Sequence, residues 1–298
     1  MQNDDLKNYL HLHFIVFVWG FTAVLGALIS IEALPLVWYR MLIASAFISI
    51  YIIYKNLFLK VPLKARMLFT LGGVLIATHW LLFFMAIKVS NVSITLAMMS
   101  TGSFFTAILE PVFYKRKIIW YEIVFGLIVI AGLYIIFKVE SNYAYGIFLA
   151  LISAFLSALF SLLNGKLVKV HRPSVISLYE LFVGVLFLSV FLWFRGDFKP
   201  EFFVLKVSDW LYLAILASIC TAYAFIASVK IMKFVSPYTV MLTINMEPVY
   251  GILLAFFILG NDERMNAGFY LGALVILITV IANGIIKYKV KKKSYTLK

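Results

Sequence analysis

The sequence predicts an all-α integral membrane protein with ten transmembrane helices arranged as two inverted five-helix repeats. Of its 298 residues, 64% are hydrophobic and 13% are charged, whereas a soluble domain is about half apolar and a quarter charged. Apolar runs follow one another along the whole chain, and similar segments recur in each half. Because lipid offers no partners to the backbone, runs of this length favour helices over the short strands of a membrane barrel.

Each apolar run has about 20 residues, which is the length needed to cross a hydrocarbon core of about 30 Å. The connections are mostly a handful of residues, and neither end carries an extra soluble domain. We therefore expect the function to reside within the helical bundle. The predicted spans lie at about 10–30, 34–54, 67–87, 91–114, 118–137, 144–165, 174–194, 210–229, 237–259 and 265–286.

The basic residues alternate between the loops on the two sides of the predicted bundle. Nineteen of the 26 Lys and Arg residues fall on the side of the N-terminus, six fall on the other side, and Arg40 lies within a helix. The positive-inside rule then places both termini in the cytoplasm, and the membrane we expect is a bacterial plasma (inner) membrane. The net charge of +13 is thus a topology signal that also favours anionic lipid, and the lipid bilayer, rather than nucleic acid, is the expected partner.

Two segments in helices two and seven indicate an internal repeat. Residues 36–44 read LVWYRMLIA and residues 176–184 read ISLYELFVG, each with a Tyr followed by an ionisable residue. Because each unit has an odd number of spans, the second unit must be inverted in the membrane, as in many secondary transporters. The expected domains are residues 1–140 and residues 141–298, the latter with a basic cytoplasmic tail.

Several motifs in a fixed order give the sequence its resemblance to a known family. They are VWG at 18–20, an Arg near the start of helix two, AIKVSNVS at 86–93 and SPYTVMLTINMEPVYGILLAFFILG at 236–260. With the two five-helix halves, they resemble the EamA-type family of the drug/metabolite transporter superfamily over nearly the whole chain. The turn GNDER at 260–264 departs from the shorter glycine-glutamate turn that is usual in this family.

The resemblance implies an alternating-access permease with a central cavity. In this family the cavity is lined mainly by helices one, three, four, six, eight and nine. Small metabolites such as amino acids are the substrates it implies, and they are often exported.

The dipeptide Glu-Pro occurs twice, and depth separates the two copies. Glu110 lies five residues before Lys115, about 7 Å from its helix end, whereas Glu247 lies 13 residues before Gly260, near the midplane. When helices four and nine are aligned on their terminal turns, Glu247 corresponds to about Gly102. A charge at the bilayer centre is costly, so Glu247 should face the interior or be protonated.

Two roles are open for Glu247, which either braces the bundle or contacts a substrate or a coupling proton. Pro248 removes a backbone donor and loosens the helix toward the carbonyl of Ile244. Thr243 and Tyr250 lie three or four residues away and share the face of Glu247. They are therefore predicted to line the cavity with it.

Helices four and six carry stripes of small and polar residues at helical spacing. Met99, Ser100 and Ser103 in helix four are suited to cavity lining or to close helix packing. In helix six, packing is the favoured interpretation of Ser153, Ser157 and Ser161, and Asn164 is the residue in that stripe predicted to bind substrate.

Aromatic and polar residues near the midplane complete the predicted substrate site. His79 and Trp80 lie in helix three, Tyr223 lies in the corresponding part of helix eight, and Trp19 and Thr22 lie in helix one. Aromatic walls suit an apolar or planar substrate group. A histidine at this depth either satisfies a hydrogen bond or contributes to binding.

Arg40 and Glu180 are repeat mates of opposite sign at different predicted depths. A direct pair is therefore not expected, and gating or structural roles are predicted for them, as for Glu110 and Pro248. Helix ten contains GxxxG at 268–272, which suits either packing within the chain or a homodimer.

Other classes of membrane protein have less support in the sequence. A membrane enzyme needs paired His and carboxylates, or a nucleophile with a base, at one depth. No such set is visible, so no catalytic, cofactor or metal site is predicted. A channel would show a repeated selectivity element. A non-transporting scaffold or a lipid translocator remains as the alternative to a transporter of a small-molecule substrate.

Overall fold

A computed structural model describes residues 2–57, 60–115, 117 and 120–296, and within them the protein is helical with no strand. Arg116 and Lys298, which belong to the predicted cytoplasmic basic set, lie outside the described residues. The α-helices are α1 (Gln2–Leu28), α2 (Ala33–Tyr54), α3 (Leu63–Val89), α4 (Val92–Met99), α5 (Gly102–Tyr114), α6 (Trp120–Val139), α7 (Ala144–Leu167), α8 (Pro173–Arg195), α9 (Val207–Ala217), α10 (Ala224–Ile231), α11 (Pro237–Ile244), α12 (Glu247–Leu259) and α13 (Ala267–Thr296).

The described helices confirm the prediction of an all-α integral membrane protein. Eight helical segments are long and apolar enough to cross a bilayer, and two shorter apolar helices lie at 124–139 and 267–283. Many large apolar side chains on their outer faces are exposed, among them Ile53, Phe194 and Phe257. A soluble protein would bury such residues, whereas in a bilayer they face lipid chains.

Three of the described spans are interrupted. At each interruption the backbone departs from regular α-helix. The first separates α4 from α5 at residues 100–101, and the second separates α11 from α12 at residues 245–246. The kink predicted at Pro248 is therefore present as a break just before Glu247. Between α9 and α10, residues 218–223 form one stretch of π-helix, a feature that is frequent at functional sites.

Helices come into close contact at glycines, because glycine has no side chain. A methyl group at Gly73 on α3 would lie 2.6 Å from the carbonyl oxygen of Glu180 on α8, and one at Gly184 on α8 would lie 2.0 Å from the methyl group of Met41 on α2. Small residues allow membrane helices to approach in this way. The result is a central group in which α3 packs on α7 and α8, and α1 packs on α12.

The two glycines of the GxxxG motif in α13 face α6 of the same chain. A methyl group at Gly268 would lie 2.8 Å from Val139, and one at Gly272 would lie 2.9 Å from the carbonyl oxygen of Gly132. The structure thus uses both glycines for packing within the chain. A homodimer through the predicted helix ten, which is α13 in the structure, stays a prediction.

Replacing Gly272 with Val should destabilise the protein, because the new side chain collides with a backbone carbonyl that cannot rotate away. Overpacking of this kind costs about 1–3 kcal/mol. The measurement is the midpoint of thermal unfolding in detergent. Leu271→Val is the control, because Leu271 is 55% exposed on the outer face of the same helix. Equal midpoints for the two variants would contradict the packing of α13 on α6.

Candidate functional site

A central cavity of ≈ 80 Å³ lies where the interrupted helices meet. It is bordered by α1, α3, α4, α7, α10, α11 and α12, which are the helices implied by the resemblance, and also by α2. Polar and aromatic side chains alternate around it. The lining residues are Trp19, Thr22, Arg40, Ile76, His79, Trp80, Phe83, Met99, Ser157, Phe160, Ser161, Phe225, Ser228, Met232, Val240, Ile244 and Glu247.

Arg40 forms the cationic wall of the cavity and is only 1% exposed. Its Nε donates a hydrogen bond to Thr221 Oγ1 at 2.7 Å, and its guanidinium carbon lies 3.8 Å from the centre of the Trp80 ring. Thr221 lies in the π-helix, where its own hydroxyl donates to the carbonyl of Leu216. Among the described residues, Arg40 Nη1 has no hydrogen-bond partner.

Glu247 forms the anionic wall of the same cavity and is 8% exposed. It begins α12 directly after the helix break. Within the described part of the chain, its carboxylate makes no hydrogen bond, and no ion pair joins it to Arg40. The two groups interact electrostatically across the cavity. Arg40 and Glu247 thus face the same small space with no hydrogen bond or ion pair between them.

Three aromatic rings in contact with one another form the aromatic side of the cavity. The Phe160 and Phe225 rings stack with centroids 5.4 Å apart and an interplanar angle of 25°. Trp80 meets the edge of Phe225 at 5.8 Å, so the series continues to the guanidinium of Arg40. Such a surface favours planar or apolar groups and supports cation–π contact.

His79 is fixed to α7 by a compact set of hydrogen bonds. Its Nδ1 lies 2.9 Å from the carbonyl oxygen of Ser153, and because a carbonyl only accepts, Nδ1 carries the proton. The Ser153 hydroxyl donates to the carbonyl of His79 at 2.9 Å. The helical stripe that contains Ser153 therefore holds α7 against α3 at this position, which agrees with the packing interpretation.

The cavity brings together six of the twelve residues predicted to bind substrate, namely Trp19, Thr22, His79, Trp80, Met99 and Glu247. Three of the others are hydroxyl residues whose side chains bond to their own helices instead. Ser100 donates to Ala97 O, Ser103 to Ser100 O and Thr243 to Thr239 O. This back-bonding satisfies the hydroxyl within its own helix.

The remaining three predicted residues lie elsewhere for different reasons. Asn164 is fully buried and donates to Glu180. Tyr223 is 44% exposed, and its hydroxyl bonds to His11 at 2.7 Å. Tyr250 packs against α1, where its Cβ lies 3.0 Å from the position of a methyl group at Gly20.

Several lining residues were not predicted as cavity residues. Arg40 was assigned a gating or structural role, although the structure places it on the cavity wall. Ser157 and Ser161 were assigned mainly to packing. Phe160 and Phe225 were not singled out, because 17% of the chain is aromatic and composition hides the few rings that stack. The spacing of Phe160 and Ser161 along α7 sets the helix face on which each side chain lies. This spacing is the sequence signal that could have indicated the cavity positions.

One end of the bundle is closed by carboxylates that join distant parts of the chain, and we call it the Asp209 end. Asp209 accepts hydrogen bonds from Ser30 N at 2.7 Å and from Ser30 Oγ at 2.6 Å. Glu263 accepts from Val92 N at 2.9 Å and from Ser93 N at 2.8 Å. The bonds from Val92 and Ser93 place the carboxylate of Glu263 at the N-terminus of α4, where the helix dipole favours negative charge.

The described residues at the opposite end include a neutral hydrogen bond and a cation–π contact. Tyr114 donates to the carbonyl oxygen of Leu162 at 3.2 Å, and the ammonium group of Lys166 lies 5.3 Å from the ring centre of Phe113. Neutral hydrogen bonds are weaker than charge-assisted ones. The carboxylates of Asp209 and Glu263 thus hold the Asp209 end together by the stronger kind of hydrogen bond.

Comparison with known proteins agrees with the fold. The model of the EamA-like transporter family matches twice, at residues 7–138 and 144–284. An uncharacterized transporter of Clostridium kluyveri is 24% identical over 221 residues, which cover 72% of this chain and 68% of the relative. A solved crystal structure shares the fold with a TM-score of 0.67 at 14% identity, covering 92% of this chain and 95% of that one.

The two matches to one family model cover most of the chain. They confirm the identification that the motifs VWG, AIKVSNVS and the segment around Glu247 indicated. The chain belongs to the EamA-like transporter family and is a membrane transporter of the drug/metabolite transporter type.

Proposed function

We propose that this transporter exports a small zwitterionic metabolite such as an amino acid by alternating access through the central cavity. The observation that carries the proposal is the pair of opposite charges, Arg40 and Glu247, which face one cavity without touching. The expected location is a bacterial plasma membrane with both termini in the cytoplasm. The basic residues of the loops support this orientation.

The energetic reason is that buried charges require partners. A charged group in a low-dielectric interior is costly unless an opposite charge or several hydrogen bonds satisfy it. A solute carboxylate would bind the unpartnered Nη1 of Arg40, and a solute ammonium group would bind Glu247. The solute thus supplies the partners that the empty cavity lacks. The rings of Phe160 and Phe225 would contact its side chain.

Two features support an inverted repeat of ten helices, with halves at residues 1–140 and 141–298. The family model matches once in each half. The helix breaks also precede Gly102 and Glu247, the two positions that the sequence alignment of the repeats pairs. Rocking of one half against the other would then alternate access, as in other transporters with such repeats.

The charge-assisted closure at the Asp209 end supports a cytoplasm-facing state. In the proposed orientation this end faces outward, so the solute reaches the cavity from the cytoplasm. Ser30 lies in the first half and Asp209 in the second, and their hydrogen bonds must break before the outer side opens. Loading from the cytoplasm suits an exporter.

Transport itself is tested with purified protein in liposomes and a panel of labelled amino acids. We expect protein-dependent flux and stabilisation of the protein by at least one of them. A protein that moves lipid analogues, or moves nothing in the panel, would support the lipid translocator or the scaffold instead and would contradict the proposal.

Replacing Glu247 with Gln should weaken binding of the transported amino acid about ten- to hundredfold, because a hydrogen bond to a charged group contributes about 1.5–3 kcal/mol. The measurement is the ligand-dependent shift in thermal unfolding. Glu110→Gln is the matched control, because it makes the same change in the other Glu-Pro dipeptide, outside the cavity. Equal affinities for wild type and Glu247→Gln would assign Glu247 to a bracing role.

Replacing Arg40 with Gln should remove the selectivity for the solute carboxylate. Wild type should bind an amino acid more tightly than the amine that lacks its carboxylate, and Arg40→Gln should bind the two about equally. Competition against the labelled amino acid measures this ratio. A variant that keeps the wild-type ratio would contradict the proposed contact with Nη1.

Replacing Asp209 with Asn should increase the fraction of molecules whose cavity is open to the outer side. The reason is that an amide has one acceptor oxygen for the two donors of Ser30. A cysteine at Thr22, in a Cys220→Ser background, then reacts faster with a membrane-impermeant maleimide added from outside. Asp197→Asn is the control, because Asp197 pairs with Arg195, two residues before it in the chain. Equal labelling rates in both variants would show that Asp209 does not hold the outer side closed.

A further inference from the structure

A second polar cluster lies between α7 and α8, outside the central cavity, and we call it the Glu180 cluster. It consists of Asn164 on α7 with Ser177 and Glu180 on α8, and all three residues are fully buried. Ser177 and Glu180 are three residues apart and share one helix face. None of the three lines the central cavity.

The cluster has an excess of unpartnered oxygen atoms. Asn164 Nδ2 donates to Glu180 Oε1 at 3.0 Å. Glu180 Oε2, Asn164 Oδ1 and Ser177 Oγ have no hydrogen-bond partner within the described ranges. A buried polar atom without a partner costs free energy, so each such atom in a native protein requires an explanation.

Among the described residues, no cation balances the carboxylate of Glu180. The helices packed against α8 near this point are α2, α3, α7 and α10. Arg40 on α2 is bound to Thr221 and Trp80, and His79 on α3 is bound to Ser153. Lys166 on α7 and Lys230 on α10 are exposed. As far as the structure describes the chain, Glu180 therefore has no ion-pair partner.

The packing around the carboxylate leaves little space. A methyl group at Gly72 would lie 2.2 Å from Glu180 Oε1, and one at Gly73 would lie 2.6 Å from the Glu180 carbonyl oxygen. A metal ion needs several ligands and its own volume, whereas a proton needs neither. The close contact with α3 thus favours a proton as the species that neutralises Glu180.

We propose that Glu180 is a proton-binding site that couples solute movement to proton movement. The proton adds to a lone pair of Oε2 from water and returns to water when it is released, and no other covalent bond changes. The neutral acid then has an O–H group that a small rotation directs toward one of the unpartnered oxygens of Asn164 or Ser177. The coupling role rests on the proposed transport function, whereas proton binding does not.

Asn164 provides a physical link between this cluster and the cavity. Its Nδ2 also lies 3.4 Å from the carbonyl oxygen of Phe160, and Phe160 lines the cavity and stacks on Phe225. A negative charge on Glu180 would draw the Asn164 amide toward itself and away from Phe160. Release of the proton would thus alter the turn of α7 that carries one wall of the cavity.

The first experiment tests proton binding without transport. Infrared difference spectroscopy of the full-length protein, titrated with acid and base, should show the carbonyl stretch of a protonated carboxylic acid. Glu180→Gln should lose this band, and Glu110→Gln should keep it. Asn164→Ala should move it to higher frequency, because the carbonyl loses a hydrogen bond. A band that is identical in wild type and Glu180→Gln would overturn the proposal.

The second experiment tests coupling in liposomes. A pH gradient should drive accumulation of the transported amino acid by wild type and by Glu110→Gln. Glu180→Gln should lose this accumulation and keep the exchange of labelled for unlabelled amino acid, which needs no driving force. Accumulation that survives in Glu180→Gln, or that a Na⁺ gradient drives at equal pH, would overturn the coupling role. If wild type transports no amino acid, the proposed function fails, while the infrared band still decides whether Glu180 binds a proton.

Discussion

Polar groups inside this bundle must find partners within the protein, because the hydrocarbon core of a bilayer supplies none. Most of them do so locally. Ser100, Ser103 and Thr243 return their hydroxyl protons to carbonyls of the preceding turn, and His79 and Ser153 satisfy each other across α3 and α7. Some described polar atoms lack such partners: Thr22 Oγ1 and Arg40 Nη1 at the cavity, Asn164 Oδ1, Ser177 Oγ and Glu180 Oε2 in the Glu180 cluster, and Ser45 Oγ, Asn245 Nδ2 and Asn283 Oδ1 elsewhere. The ionisable side chains among them, Arg40 and Glu180, belong to the cavity and to the Glu180 cluster.

The interruptions of the helices position Glu247 and the hydrogen-bond partner of Arg40 at the cavity. The break before Glu247 ends α11 and starts a new helix, so that the carboxylate lies at a helix start rather than in the middle of a regular span. The π-helix at 218–223 shifts Thr221 so that its hydroxyl both donates to Leu216 and accepts from Arg40. Irregular backbone in a membrane is tolerated where it is buried in protein or lines a cavity, and both sites fulfil this condition.

The buried carboxylates of the chain differ in what surrounds them. Glu247 faces a space shared with Arg40, aromatic rings and serine hydroxyls, which suits a solute. Glu180 is enclosed by Asn164 and by the glycines of α3, which leaves room for a proton. Asp209 and Glu263 bind backbone N–H groups at one end of the bundle. In the proposed mechanism, the same functional group thus serves binding, proton uptake and closure according to its neighbours.

The sequence by itself determined the helical membrane class, the positions of eight spans and the family, because these depend on the length of apolar runs and on local motifs. It also identified Glu247 and the break at Pro248, since a carboxylate and a proline at mid-span are local anomalies. It could not determine which hydroxyls line the cavity, because a serine that bonds to its own helix has the same spacing as one that faces the centre. Only the tertiary structure decided that Arg40 faces Glu247 across the cavity while Asn164 turns to Glu180. Those contacts join residues far apart in the chain, and they depend on the rotation of each helix, which small residues and backbone breaks set.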